Sequence, residues 1–255
     1  MEEQKKFKIQ GGSFEKSLSG ETQLDLKLIA KEAWNLSKNT KAAVLHGVLM
    51  LFFIAIVFAW ALQSLFGITD LSIVPARMMI SLKVAGIIVT TPIIAAMFLL
   101  GIAHSVGIKP RFLTILKNVM GSVLVILLAL LLAAMSDVGS LIGSQVSVLL
   151  GLIILAYINL ATGFSMMLLV EKKLAPSQCV LQSLKVFHKY WIPLSAFYIV
   201  YYCCLFLGAL SLGFAYIWII PFFINMKGIL YRELFGVKVI NSQEQSTPDE
   251  TVFHA

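Results

Sequence analysis

The sequence predicts an all-α polytopic membrane protein with six transmembrane helices arranged as three hairpins. Of its 255 residues, 59% are apolar and only 13% are charged, whereas a soluble domain carries about 25% charged residues. The stretch from Tyr190 to Met226 contains no Asp, Glu, Lys or Arg. One crossing needs roughly 20 apolar residues, so this stretch is long enough for two. Gly208 and Gly213 mark the turn between them.

The chain begins with a polar segment, 1–21, whose glycines and serines predict disorder. Thr22 and Asp25 have the spacing of a capping box. Apolar residues then recur at helical spacing, which predicts an amphipathic interfacial helix over 22–41 with Trp34 at headgroup level. The alternative is a helix that packs on the protein's own cytoplasmic face.

Apolar runs then define a membrane domain over 22–240, followed by a polar tail, 241–255, with the composition of a disordered segment. Pro92 and Pro221 lie in the second helix of the first and last hairpins, where we interpret them as kinks rather than gates. Gly139 and Gly143 have the spacing of a helix contact. Because they lie at a predicted turn, we interpret them instead as loop residues. The predicted spans lie at about 42–66, 84–106, 118–135, 146–170, 190–208 and 213–226.

Each hairpin is preceded by a basic segment, 22–41, 109–117 or 176–189. Six spans place eighteen Lys and Arg residues on the side of these segments and only Arg77 and Lys83 on the other. Cytoplasmic loops carry the excess of positive charge, so both termini are predicted to be cytoplasmic.

The net charge of +7 therefore indicates contact with anionic lipid, and not with nucleic acid, because the basic residues flank the apolar runs. We expect membrane lipids at the cytoplasmic face as partners, and other membrane proteins as possible partners. The predicted interfacial anchors are Trp34, Lys109, Arg111, Lys185, Lys189, Trp191 and Arg232.

Nothing in the sequence predicts catalysis, a cofactor or a metal site. The six predicted spans contain no Asp, Glu, Lys or Arg, the residues that usually mark function inside a membrane. His46 and His104 lie near inner span ends, either as a proton or metal pair or as interfacial anchors, and we favour anchors. The three cysteines form no recognisable framework.

Two polar sets remain inside the predicted spans. Asn159 and Thr162 on span four and Asn225 on span six are expected to satisfy one another or freed carbonyls between helices. Three tyrosines share one face of span five, either lining a pocket for an amphipathic ligand such as a lipid or packing against other helices, and we favour packing. They are Tyr198, Tyr201 and Tyr202.

A family resemblance adds to this interpretation. A basic N-terminal helix carrying Ala33 and Trp34, the two hairpin prolines and the final run from Ile229 to Gly236 resemble the YciC-like and related uncharacterised six-span bacterial inner-membrane proteins. These are akin to the membrane domain attached to some glycerophosphodiester phosphodiesterases. The phosphodiesterase catalytic domain has no counterpart here, so the resemblance implies a bacterial inner-membrane location and no enzymatic residue.

The leading functional hypothesis is a non-enzymatic inner-membrane protein that interacts with lipid or organises the membrane. It depends on the basic cytoplasmic segments and the uncharged interior. The alternative is a facilitative transporter or exporter of an apolar or amphipathic solute. It depends on Pro92 and Pro221, which would break helices at matching positions of two hairpins.

Overall fold

The computed structural model describes residues 7–67 and 74–240. Apart from one small two-stranded ribbon, the regular structure in these residues is helical. The strands are β1 (Phe7–Gln10) and β2 (Val237–Ile240), and the helices are α1 (Phe14–Ser19), α2 (Leu26–Phe66), α3 (Ala76–Ser105), α4 (Phe112–Met120), α5 (Val123–Ser144), α6 (Val148–Ala161), α7 (Ser165–Lys172), α8 (Pro176–Lys189), α9 (Trp191–Leu210) and α10 (Tyr216–Phe235).

Five helical segments of the described chain are long and apolar enough to cross a bilayer, judged by length and composition. They lie in α2, α3, α5, the α6–α7 pair and α9. The predicted all-α class is confirmed, with several helices that are long and apolar enough to cross a membrane. The sixth predicted span falls in α10, which is not among the five and carries Lys227, Arg232 and Glu233.

The predicted interfacial helix is not a separate element, because α2 runs without a break into the first span. The carboxylate of Asp25, rather than Thr22, caps it and accepts the N–H groups of Lys27 and Leu28 at 2.9 and 3.1 Å. The buried stripe of this part of α2 includes Ile29 and Ala33 and packs against α10. This packing agrees with the alternative, a helix that packs on the protein's own cytoplasmic face, while the side of the membrane on which it lies stays a prediction.

The prediction of disorder over 1–21 is wrong for residues 7–20, while residues 1–6 and the predicted tail 241–255 lie outside the described residues. Strand β1 pairs antiparallel with β2, from the other end of the chain. Ser17 of α1 donates its hydroxyl proton to the carbonyl of Leu234 at 2.7 Å. Gly11, at φ 94°, and Gly12 lie so close to the backbone of α10 that a side chain would clash. These partners are more than 200 residues away, so local composition did not reveal them.

The interpretation of Gly139 and Gly143 as loop residues is also wrong, since both lie inside α5. A Cβ at Gly139 would lie 2.6 Å from the side chain of Ile158, and one at Gly143 would lie 3.0 Å from the backbone of Gly151. These glycines let α5 and α6 approach closely, as in small-residue helix contacts. The third span begins only at Val123, because the residues before it form the separate helix α4.

The fourth predicted span is two helices, α6 and α7, separated by residues 162–164. Ser183 of α8 forms hydrogen bonds with backbone groups on both sides of this break. Its hydroxyl donates to the carbonyl of Ala161 at 2.8 Å and accepts the N–H of Phe164 at 3.2 Å. The helices α3 and α10 continue through Pro92 and Pro221, so the discontinuity arises where the sequence has no proline.

The core is gathered at the end of the bundle that carries β1 and β2. It consists mainly of the second half of α3, α4, α7, α8 and the second half of α10. The outward part of α2, by contrast, exposes apolar side chains such as Phe52, Phe53 and Trp60. An apolar exposed surface of this extent is what a lipid-facing helix presents.

Candidate functional site

A buried hydrogen-bond network joins α2, α3 and α10 around Asn225, which is 0% exposed. The amide nitrogen of Asn225 donates to the hydroxyl oxygens of Ser37 at 2.9 Å and Thr40 at 3.1 Å. Its oxygen lies 2.8 Å from Nδ1 of His104, which must therefore be the donor. Every heteroatom of the Asn225 side chain is satisfied, so this network holds the three helices in one arrangement.

The polar set predicted from sequence does not assemble. Asn159 donates to the carbonyl of Leu155 at 2.8 Å, and Thr162 donates to the carbonyl of Ile158 at 2.7 Å. The Asn159 amide also reaches the hydroxyl of Ser136 in α5 at 3.4 Å, and neither residue bonds to Asn225 in the described part of the chain. His46 likewise contacts the carbonyl of Ala42 in its own helix at 2.7 Å, so it forms no pair with His104.

Arg232 is predicted as an interfacial anchor, but its side chain is only 13% exposed and links three helices. Its guanidinium contacts both carboxylate oxygens of Glu32 in α2, at 2.7 and 3.1 Å. It also donates to Glu233 and to the carbonyl of Ser105 at the end of α3. Such a planar two-point contact is a strong form of ion pair.

We expect Arg232→Met to destabilise the chain by about 2 kcal/mol, because it leaves Glu32 and the Ser105 carbonyl without a donor. The measurement is chemical unfolding of the full chain in detergent. The matched control is Lys83→Met, which breaks the pair with Asp137 on the opposite half of the bundle, where both side chains are about half exposed (50% and 55%). The control should change stability by less than about 1 kcal/mol. Equal losses in the two variants would contradict the prediction.

The three tyrosines of α9 differ in their exposure to solvent. Tyr198 is buried, Tyr202 is 51% exposed, and Tyr201 is intermediate. The ring centroid of Tyr201 lies 4.8 Å from that of Phe223 in α10, and Phe197 packs against the same ring at 5.7 Å. Tyr201 therefore contributes to aromatic packing, the interpretation favoured above, while Tyr202 points away from the core.

A shallow groove of about 450 Å³, wide open to the surface, lies between α1 and α8. Lys189 extends over the end of α1, where its Cε would lie 2.7 Å from a Cβ at Gly20. Nδ1 of His188 lies 2.8 Å from the carbonyl of Leu184 and so carries the proton, which leaves Nε2 to accept the hydroxyl of Tyr157 at 2.8 Å. We name this feature the α1–α8 groove. Its lining residues are Leu18, Leu184, Lys185, His188 and Lys189.

The other predicted anchors divide into two groups. Trp191, the first residue of α9, is exposed, as are Lys109 and Arg111 before α4. Trp34 is exposed in part but packs on the first turn of α10, 6.1 Å from the ring centroid of Trp218. The ammonium of Lys41 lies 3.7 Å from the same centroid.

Cys179 in α8 is fully buried, and its thiol donates weakly to the carbonyl of Leu174 at 3.5 Å. Burial raises the pKa of the Cys179 thiol to about 11. Since the thiolate is the reactive form, we expect Cys179 to resist maleimide at neutral pH in the folded chain and to react on unfolding. The measurement is labelling of a Cys203→Ser, Cys204→Ser chain with and without denaturant. Rapid labelling of the folded chain would contradict this burial.

Within residues 7–67 and 74–240, no three His, Cys, Asp or Glu side chains gather as a metal site would require. No family model, curated protein or solved structure matches the chain.

Proposed function

We propose that this chain is a non-enzymatic integral membrane protein of the bacterial inner membrane that binds anionic lipid headgroups at the cytoplasmic face. The α1–α8 groove is the observation that carries the proposal. Lys185 and Lys189 supply two positive charges, and Leu18 and Leu184 supply apolar surface beside them. A phospholipid presents the complementary combination of an anionic phosphate and an apolar chain.

The surroundings of the groove support a place at the membrane surface. His188 of the groove bonds to Tyr157 on α6, one of the helices apolar enough to cross a bilayer. The exposed Trp191 follows two residues after Lys189, and tryptophan is enriched at membrane interfaces. The excess of basic residues on this side supports cytoplasmic termini.

The test is retention of phosphatidylglycerol by the full chain in native mass spectrometry. Each basic residue near an anionic surface contributes about 1 kcal/mol, so K185Q/K189Q should weaken binding by about 30-fold. The matched control is K27Q/K31Q, which removes the same charge from exposed positions on α2. If both double variants lose lipid equally, general charge rather than the groove is responsible and the proposal fails.

The topology is also a proposal. Six spans would place the start of α10 at the outer surface, yet Trp218 lies against Trp34 and Lys41, on the part of α2 predicted to face the cytoplasm. These contacts favour a hairpin of α9 and α10 that enters from the cytoplasmic side and returns without crossing. Such a hairpin leaves both termini cytoplasmic.

A cysteine at Leu212, which is 90% exposed between α9 and α10, tests this arrangement in a chain without other cysteines. We expect no reaction with an impermeant maleimide added outside intact cells. The control is a cysteine at Val146, in the exposed turn between α5 and α6, which should react. Labelling at both positions would restore the six-span topology.

One observation favours the alternative function, a facilitative transporter of an amphipathic solute. The break between α6 and α7 is a discontinuity of the kind that forms binding sites in transporters. Against it, the Tyr201 side chain is packed on Phe223 instead of lining a cavity. Proteoliposomes loaded with a fluorescent amphipathic dye would decide, because dye release no faster than from protein-free vesicles removes this function.

A further inference from the structure

The side chain of Lys227 in α10 extends among three aromatic rings. Its Nζ lies 4.0 Å from the ring centroid of Phe98 in α3 and 6.0 Å from those of Phe164 and Tyr198. We name this arrangement the Lys227 box. Within the described residues its ammonium makes no ion pair and no hydrogen bond, whereas Arg232, five residues later, contacts two carboxylates.

The hydroxyl of Tyr198, whose ring belongs to the Lys227 box, is 7% exposed and has no hydrogen-bond partner among the described residues. The same is true of the fully buried hydroxyl of Ser165, the residue that follows Phe164 in the chain. The Tyr198 hydroxyl lies directly against the break before α7, 1.9 Å from where a Cβ of Gly163 would be. A buried polar group without a partner costs about 1–3 kcal/mol, so a ligand that bonded to such a group would gain free energy.

The charges in this region share one sign. Lys227 contributes a cation in its protonated form, and burial lowers the pKa of its ammonium to about 7, so a bound anion would favour that form. Helix α7 begins at Ser165 without a side-chain cap, and the start of a helix carries partial positive charge. The faces of Phe98, Phe164 and Tyr198 attract the cation, but aromatic rings do not satisfy the two hydroxyls. A group with several acceptor oxygens and a negative charge would satisfy both the Lys227 ammonium and the Tyr198 hydroxyl.

We propose that the Lys227 box binds a single phosphate group. The ammonium of Lys227 and the hydroxyl of Tyr198 would donate to its oxygens, and the start of α7 would stabilise its charge, as helix N-termini do for phosphate. Phe98 and Phe164 would pack against whatever apolar part accompanies the phosphate. Lys227 is only partly buried, which leaves a route for the ligand. This site is separate from the α1–α8 groove.

Two sources of phosphate are distinguished by two probes, inorganic phosphate and dioctanoyl phosphatidic acid, each added to the full chain in neutral detergent. The measurements are the shift in thermal unfolding and the dissociation constant. Stabilisation by phosphatidic acid alone identifies a lipid headgroup, and stabilisation by inorganic phosphate identifies a free anion. No effect of either probe overturns the proposal.

The variants are Lys227→Gln and Tyr198→Phe, each expected to weaken binding about tenfold or more, since each removes a hydrogen bond to a charged group. Lys117→Gln on the exposed face of α4 and Tyr202→Phe on the exposed face of α9 are the matched controls. Equal binding by wild type and Lys227→Gln would overturn the proposal.

Two readouts distinguish phosphate binding in the Lys227 box from a purely structural role of its residues and from binding in the groove. Because the Tyr198 hydroxyl has no partner among the described residues, Tyr198→Phe should not lower stability in the absence of phosphate, whereas loss of a structural hydroxyl would. The K185Q/K189Q chain should bind phosphate in the Lys227 box unchanged. The proposals for the α1–α8 groove and for the Lys227 box can therefore be refuted independently of each other.

Discussion

The variant Gly228→Ala is expected to be the most damaging single-methyl substitution in the bundle. A Cβ at Gly228 in α10 would lie 2.0 Å from the carbonyl oxygen of Gly101 in α3 and 2.3 Å from its carbonyl carbon. In the reverse direction, a Cβ at Gly101 would lie 2.5 Å from the carbonyl oxygen of Ile224. All three obstructing atoms are backbone, so no side chain can rotate away.

The two helices must therefore separate, and α3 and α10 hold much of the core. Overpacking commonly costs about 1–3 kcal/mol, and we expect about 3 kcal/mol here because only backbone can move. The intrinsic preference of a helix for alanine over glycine, about 1 kcal/mol, offsets this only in part. The measurement is thermal and chemical unfolding of the full chain in detergent.

The matched control is Gly86→Ala in the other half of α3, where nothing lies within 4 Å of the new methyl group. That variant should be as stable as the wild type or slightly more stable. If Gly228→Ala were as stable as Gly86→Ala, the close approach of α3 and α10 would be refuted.

The second large effect is expected for Asn225→Asp, which changes no volume. The Ser37 and Thr40 hydroxyls already donate to the carbonyls of Ala33 and Leu36, at 2.7 and 2.8 Å, so they can only accept from Asn225. An aspartate would keep the hydrogen bond from His104, but its second oxygen would face two acceptors, and its carboxylate would be buried. We expect a loss of about 3 kcal/mol at neutral pH.

The control for this variant is Asn39→Asp, the same chemical change at an exposed position one residue before Thr40. Its effect on the free energy of unfolding should stay within about 0.5 kcal/mol. A small effect of Asn225→Asp would mean that the network around Asn225 is open to water or is not formed.

Hydropathy and charge along the chain predicted the positions of the helices, which depend mainly on residues near one another in the sequence. The uncharged stretch from Tyr190 to Met226 forms two helices, α9 and α10, with the turn between Leu210 and Tyr216 near the predicted place. The apolar runs likewise coincide with α2, α3, α5 and the α6–α7 pair. Length and hydropathy determine these features, because a helix in lipid satisfies its own backbone.

The candidate sites could be predicted from the sequence less well than the helices. Lys227 was visible only as the charge that ends an apolar run, and nothing nearby in the sequence indicates Phe98, Phe164 or Tyr198 as its neighbours. Leu18 of the groove lies in a segment predicted to be disordered. Lys185 and Lys189 were singled out, but their convergence with Leu18 depends on the packing of α1 on α8.

The sequence by itself determined that the chain is mainly helical, that several of its helices are apolar and long enough to cross a membrane, and that basic residues flank the apolar runs, because hydropathy and charge act residue by residue. Only the tertiary structure decided that Ser17 bonds to Leu234, that Asn225 bonds to Ser37 and that Arg232 bonds to Glu32. Each of these bonds joins positions more than 180 residues apart. A polar side chain in an apolar stretch predicts that it has a hydrogen-bond partner. Which residue that partner is depends on how the helices pack.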